Sequence, residues 1–224
     1  MKAVCLFDWD GTLRRGITAL DWMEFLTPLV PNARRSASDM KELLEDYRSG
    51  EVNYRHLVRK AAELYAKCIA EVAVEHVTSL ADQFAQEDRR SLFDFVPSLL
   101  QRLHAKEIAT VVVSGAPVEV LQAYRRMLPI DRIYGLVVER RNGYFTGSIQ
   151  LNHGLMGKKR EVVAALLAEG YTIKLAAGNS TSDLPLLEHP ERRFLISDEQ
   201  EVREGVNASF VDTKHAARAF DEAI

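Results

Sequence analysis

Ala3-Val4-Cys5-Leu6-Phe7-Asp8-Trp9-Asp10-Gly11-Thr12-Leu13 is the stretch on which the fold turns. Its first five residues form a short apolar run with the length and character of a strand buried on both faces. An unpaired carboxylate at the end of such a strand is costly to bury, yet two follow, one residue apart. On a strand, Asp8 and Asp10 point the same way, so both can converge on one site just beyond its carboxyl end. That rim is where open α/β sheets place their ligands, and a divalent cation there would remove the cost.

Working outward, the period changes from two to helical after Leu13. Thr18 with Asp21 three positions later predicts a helix start before Trp22, Met23, Phe25 and Leu26. Leu57, Ala61, Leu64, Tyr65 and Cys68 recur at helical spacing, as do Ala73, Val77, Leu80 and Phe84, with Pro31 and Gly50 as punctuation. Residues 16–93 therefore read as an all-helical insert. Strands return with the β-branched run 108–113, which ends at Ser114-Gly115, and Pro117 sits where a following helix has its first turn. Residues 133–139 and 144–150 flank Arg141-Asn142-Gly143 and predict a hairpin beside the main sheet. Val162, Val163, Leu166 and Leu167 mark another amphipathic helix, and Ile173-Lys174-Leu175-Ala176-Ala177 another strand, followed by the loop Gly178-Asn179-Ser180. Phe194-Leu195-Ile196 reads as the last short strand. Strands alternating with helices predict an α/β fold: a doubly wound, Rossmann-like parallel sheet built from residues 1–15 and 94–224, interrupted by residues 16–93 as an all-helical insert.

Composition agrees with such a body. The chain has 224 residues, 47% of them hydrophobic and 27% charged, enough for one sizeable core and a satellite domain and unlike a disordered chain. Lys and Arg total 29 against 32 Asp and Glu, a formal charge of −3, so no general field draws the protein to nucleic acid or an anionic membrane. Any preference for phosphate must be local. Two cysteines, Cys5 and Cys68, fit reduced thiols and a cytoplasmic setting better than a disulfide framework. The amino-terminal apolar run is too short for a signal-peptide core or a membrane span. No internal repeat appears, and no obligate protein partner is evident.

Four loops follow four apolar elements, and each carries a different polar group: Asp8 and Asp10, then Ser114, then Lys158 or Lys159, then Asn179 and Asp183. Phosphoryl transfer needs a nucleophile, neutralisation of charge on the equatorial oxygens, and a proton for the leaving oxygen, and these loops can supply all three. Asp8 is the candidate nucleophile and Asp10 the acid that protonates the leaving alkoxide and then activates water. Ser114, at a strand end before a helix N-terminus, can donate to a phosphoryl oxygen, with Gly115 beside it. Lys159 shares the helix stripe of Val162, Val163, Leu166 and Leu167, which favours it as the neutralising cation, while Lys158 stays in contention. A P-loop is ruled out, because Lys159 holds the Ser/Thr position and Asn152 the place of the first glycine.

The heptapeptide FDWDGTL (7–13), the run VVVSG (111–115), a lysine opening a helix, and GNSTSDLPLL (178–187), in that order, resemble the haloacid dehalogenase-like superfamily of aspartate-nucleophile phosphatases. The resemblance spans nearly the whole chain, implies the same roles for Asp8 and Asp10, and likens the insert to the small cap of the phosphoserine phosphatase-like branch. It also implies Mg²⁺ held by Asp8, the backbone carbonyl of Asp10, and Asn179 or Asp183. This chain departs from the pattern at Gly178-Asn179, where the family usually has Gly-Asp, so a neutral amide replaces one carboxylate. Phosphoserine phosphatases usually read Ser-Gly-Gly-Phe where this chain has Ser114-Gly115-Ala116-Pro117, and Ile17 stands where they carry an acid nine residues after the nucleophile. The expected activity is thus magnesium-dependent hydrolysis of another small phosphorylated metabolite through an aspartyl-phosphate, with Arg55 of the insert a candidate substrate ligand. A phosphotransferase or phosphomutase would use the same site, and Asn179 motivates a third reading, a non-catalytic phosphate-binding protein. Dehalogenation does not need Asp10, since halide leaves without a proton. The six histidines make neither HExxH nor a close metal-binding pair, which leaves zinc chemistry without support.

Overall fold

The computed structural model describes residues 2–196 and 208–223. Seven strands among them, β1 (Lys2–Phe7), β2 (Ala109–Pro117), β3 (Arg132–Arg141), β4 (Tyr144–Asn152), β5 (Tyr171–Gly178), β6 (Arg192–Ile196) and β7 (Ser209–Val211), form one sheet in the order β4-β3-β2-β1-β5-β6-β7. Every neighbouring pair is parallel except β3 and β4. From β1 the chain steps outward to β2 and β3, then returns to the other side of β1 with β5 and continues to β6 and β7. The order therefore reverses between β1 and β5, and a crevice opens beyond their carboxyl ends.

The alternation of strand residues explains the layering. Cys5 and Phe7 join one core cluster, whereas Val4 and Leu6 join the other, so both faces of β1 are apolar and dry. The first cluster takes in α5 (Val96–Ala105), α6 (Val118–Arg125) and α9 (Ala216–Ala223), and the second takes in α7 (Met156–Ala168) and α8 (Leu184–Leu187). Each such Val, Leu or Phe side chain gains about 1.5–3 kcal/mol by leaving water, which is what fixes the strand register against the helices.

Between β1 and α5 lie α1 (Thr18–Leu26), α2 (Ala33–Ser49), α3 (Tyr54–Cys68), α4 (Val74–Glu87) and a single 3-10 turn, Asp88–Ser91. The insert leaves and rejoins the core side by side: Arg15 N–H donates to the Ser91 carbonyl at 2.8 Å, and Phe93 N–H to the Leu13 carbonyl at 3.1 Å. A second tie runs to the β3–β4 hairpin, where Glu71 N–H donates to the Phe145 carbonyl at 2.8 Å and Val74 N–H to the Gly143 carbonyl at 2.9 Å. Trp22, Phe25 and Phe84 pack ring against ring inside the helical layer.

Several local expectations are corrected. The hairpin belongs to the main sheet, with β3 paired to β2 and β4 at the edge, and its turn is the two residues Asn142-Gly143, both at positive φ (53° and 83°) as a right-twisting hairpin requires. Pro117 ends β2 and precedes α6 rather than lying in its first turn. Thr18 opens α1 but makes no capping bond to the helix; its N–H and hydroxyl both donate to Asp10 instead. Leu167 is 40% exposed although its spacing placed it on the buried stripe. The last strand is β7, beyond the one ending at Ile196. Cys5 and Cys68 are both buried free thiols. No helix among the described residues is long and apolar enough to cross a membrane.

Candidate active site

The carboxyl end of β1 delivers Asp8 into the crevice, and a tight loop then turns the chain through residues 9–14. The Trp9 carbonyl accepts from the N–H groups of Thr12, Leu13 and Arg14 at 3.2, 2.9 and 3.0 Å, and Gly11 N–H donates to the Arg14 carbonyl at 2.7 Å. Gly11 holds φ +76°, and a Cβ there would lie 2.1 Å from Asn179 Nδ2, so only glycine lets the β5 loop close over the β1 loop. Among the described residues no backbone N–H donates to the Asp10 carbonyl, which is left open.

Lys159, on the fourth residue of α7, is 2% exposed and donates to Asp8 Oδ1 at 2.8 Å and to Asp183 Oδ1. Lys158 points elsewhere, half-exposed, and pairs with Glu161 at 2.7 Å. The difference is one step of helix rotation, since Lys159 lies on the face of the buried Val162, Val163 and Leu166. Asp183 has both oxygens engaged: Oδ1 takes Lys159, while Oδ2 accepts from the N–H groups of Asn179 and Ser180 at 3.0 Å each and from the Ser180 hydroxyl at 3.2 Å. Of the two expected alternatives in the last loop, Asn179 lines the cleft and Asp183 staples the loop behind it. Ser114 lines the cleft from β2, its Oγ accepting from Ala116 N–H at 3.2 Å, with Gly115 next to it. Arg55 does not line this cleft; it is exposed beside a neighbouring groove with Leu155 and Met156.

Burial first, and charge second, explains the tuning of the acids. Burial pushes the Asp8 carboxyl up to about 7, with the Asp183 charge adding to the rise and Lys159 opposing it. Burial likewise pushes Asp10 up to about 6, against the hydrogen bonds from Thr18 and the charge of Arg14. Burial alone would lower Lys159, but Asp183 and Asp8 outweigh it and hold the ammonium well above the ordinary lysine range. The lysine therefore stays charged, shared between two carboxylates.

Two residues that the sequence did not single out complete the site. Arg14 is fully buried, its guanidinium 3.8 Å from Asp10 Oδ1 and forked onto Asp88 at 2.6 and 2.7 Å, with Asp21 at 2.6 Å. Tyr124 also donates to Asp88, and Trp9 packs against Tyr124 with ring centroids 4.7 Å apart and the planes tilted by 58°. The loop, α1, the 3-10 turn and α6 are thus locked around Asp10. Tyr54, at the start of α3, donates to Ser182 Oγ at 3.0 Å and lines the cleft from the insert. Neither carried a sequence signal, because an arginine beside a turn and a tyrosine opening a helix ordinarily face solvent.

The donor set fits a hard divalent cation. The Asp8 carboxylate, the open Asp10 carbonyl and the Asn179 amide are oxygen groups of the kind such an ion takes, and their residues line one cleft, while Asp8 and Asp183 share a single ammonium. No cluster of three or more histidine, cysteine, aspartate or glutamate side chains among the described residues could hold a metal, so such an ion would rest on backbone and amide oxygens as well as on Asp8. The cleft holds about 260 Å³ and is lined by Asp8, Asp10, Ser114 and Lys159 of the core together with residues of the insert helices.

A sequence profile described as haloacid dehalogenase-like hydrolase matches residues 5–188. No curated protein sequence matches the chain. A crystal structure described as a protein with unknown function from Bordetella pertussis Tohama I superposes with a TM-score of 0.72 at 23% identity, covering 88% of this chain and 90% of the other. A substrate-bound phosphoserine phosphatase superposes at 0.71 and 17% identity, covering 100% of this chain and 99% of the other. A phospho-aspartyl intermediate analogue of phosphoserine phosphatase does so at 0.69 and 18% identity, with the same coverage. At these identities the likeness concerns the fold.

Proposed function

The chain belongs to the haloacid dehalogenase-like hydrolases, and from that premise we propose that it is a magnesium-dependent hydrolase of small phosphomonoesters acting through an aspartyl-phosphate. The observation that carries the reading is the setting of Asp8: one oxygen is fixed by buried Lys159 at 2.8 Å, and the cleft before it is lined by Asp10 and Ser114.

In the first step an Asp8 oxygen attacks phosphorus and forms the P–O bond of the acyl phosphate, while the bond to the leaving alkoxide breaks. Asp10 gives that alkoxide its proton; a carboxyl held near 6 retains a usable protonated fraction close to neutral pH. In the second step Asp10 takes a proton from water, which displaces Asp8 and releases inorganic phosphate. The Ser114 hydroxyl donates to a non-bridging oxygen, and Lys159 keeps the charge on Asp8 and phosphate from accumulating. Magnesium, when bound by Asp8, the Asp10 carbonyl and Asn179, supplies the remaining neutralisation of the phosphoryl oxygens. The helical insert acts as a cap that excludes bulk water from the acyl phosphate until the leaving group has gone.

Phosphate release from a generic aryl phosphate, with magnesium and with a chelator, tests the reading. The wild-type chain is expected to turn over with magnesium, and Asp8→Asn to lose at least about a thousandfold in rate with the fold intact. Near-native turnover by Asp8→Asn would overturn the nucleophile assignment.

A further inference from the structure

The compartment beyond the phosphoryl end has its own chemistry. Ile17, Met40, Leu44, Leu57, Val58 and Ala61 form the wall that the insert presents to the cleft. They come from three separate elements: the residue before α1, one face of α2, and one face of α3. The charged side chains lining the cavity are Asp8, Asp10 and Lys159, all from the core and none from the insert. The insert contributes one polar side chain, Tyr54, whose hydroxyl hydrogen is already donated to Ser182. Cationic groups lie elsewhere: Arg55 and Arg59 of the insert are exposed and line neighbouring grooves, and Arg14 of the β1 loop is held by Asp88 and Asp21.

We propose that the substrates are phosphomonoesters of uncharged, apolar alcohols, compact branched alkyl or aryl groups that fill the space between the Ile17–Met40–Leu44 wall and Ser114. The inference rests on the hydrolase reading and assigns its substrate class. An ammonium or carboxylate on the alcohol would be stripped of water against this wall with no opposite charge to meet it. Additional hydroxyls fare little better against this wall, whose one polar acceptor is the Tyr54 oxygen; the other polar side chains of the cavity, Ser114, Asn152, Asn179, Ser180 and Ser182, all belong to the core. A branched hydrocarbon loses nothing and gains by leaving water. The replacement of an acid by Ile17, which argued against phosphoserine from sequence, is thus one part of a wall that is apolar throughout.

Steady-state kinetics with magnesium on 3-methylbutyl phosphate, O-phosphoserine, glycerol 3-phosphate and an aryl phosphate decide the matter. The polar alcohols are the better leaving groups, so intrinsic reactivity works against the expected order. The expected result is a kcat/KM for 3-methylbutyl phosphate at least about tenfold above both polar esters, a ratio within reach of apolar pocket discrimination. A smaller ratio, or a reversed one, overturns the substrate class while turnover of the aryl ester leaves the hydrolase reading standing. If the aryl ester is inert as well, the hydrolase reading falls and takes the inference with it. Val58→Asp, which places a carboxylate on the half-buried α3 part of the wall, is expected to shift the kcat/KM ratio of phosphoethanolamine to 3-methylbutyl phosphate by at least about tenfold in favour of the amine. An unchanged ratio would show that this wall does not face the alcohol.

Discussion

The ammonium of Lys159 lies 2.8 Å from Oδ1 of Asp8, a contact between residues 151 positions apart that engages one oxygen of the candidate nucleophile. The same ammonium is bonded to Asp183, so the first and last loops of the site meet on one side chain.

Replacing Lys159 by Met leaves Asp8 and Asp183 facing each other without a cation. Stability is expected to fall by about 3–5 kcal/mol, the usual consequence of removing one partner of a buried ion pair. The catalytic rate should fall at least about a hundredfold in the fraction that remains folded. Lys158→Ala, which removes a half-exposed partner of Glu161, is expected to leave both quantities within about 0.5 kcal/mol of wild type. Chemical denaturation and kcat on an aryl phosphate measure the contrast; equal effects at the two lysines would contradict the geometry.

Asp10→Asn removes the acid but keeps the shape. Alkyl phosphates, whose leaving oxygen needs a proton, should slow by about 10²–10⁴-fold, and an activated aryl phosphate should slow much less. A linear free-energy plot of rate against leaving-group pKa is expected to steepen in the variant. Parallel plots would remove Asp10 from the first step.

The raised carboxyls set a pH dependence for the metal-free chain. Asp8 near 7 and Asp10 near 6 hold protons in the folded state that an unfolded chain releases at about pH 4. The folded state therefore binds more protons than the unfolded one between about pH 4 and 7, so this contribution to stability is complete below that window and lost as pH rises through it. Magnesium competes with those protons. Its stabilising shift in Tm is expected to be larger at about pH 8 than at about pH 5, and Asn179→Asp should enlarge it further by adding an anionic ligand. A shift independent of pH, or one reduced in Asn179→Asp, would sink the proposed ligand set.

Arg14→Gln breaks the fork onto Asp88 and the contact to Asp21. The loss is expected to be about 3–5 kcal/mol, because Asp88 stays nearly buried with, among the described residues, Tyr124 and Ser91 left to donate to it. Asp21 is more than a third exposed and adds little to that figure. A thermal melt within a degree or two of wild type would show that the network is dispensable.

Much of the architecture could be read in the chain because it is written as periodicity. Short apolar and β-branched runs marked the strands, period-3.6 runs marked α1, α3, α4 and α7, and Arg141-Asn142-Gly143 marked the place of the hairpin turn. The rotation of Lys159 onto the Val162 stripe was legible for the same reason. Where one element's pattern was weak the sequence was silent: α2 is mostly polar, and β7 is three residues long.

The amino acids alone determined which side chains are chemically able to act, two acids one residue apart after a buried strand, a serine, a lysine and an acidic loop, because local patterning and motif order need no knowledge of distant partners. Which of them meet was settled only by the packed sheet. The bonds from Lys159 to Asp183, from Arg14 to Asp88 and from Tyr54 to Ser182 join residues 24, 74 and 128 positions apart. Periodicity says that a face is buried but not against what, so the staple role of Asp183, the locking of Asp10 and the apolar wall opposite Ser114 emerge only when the helices close over the strand ends.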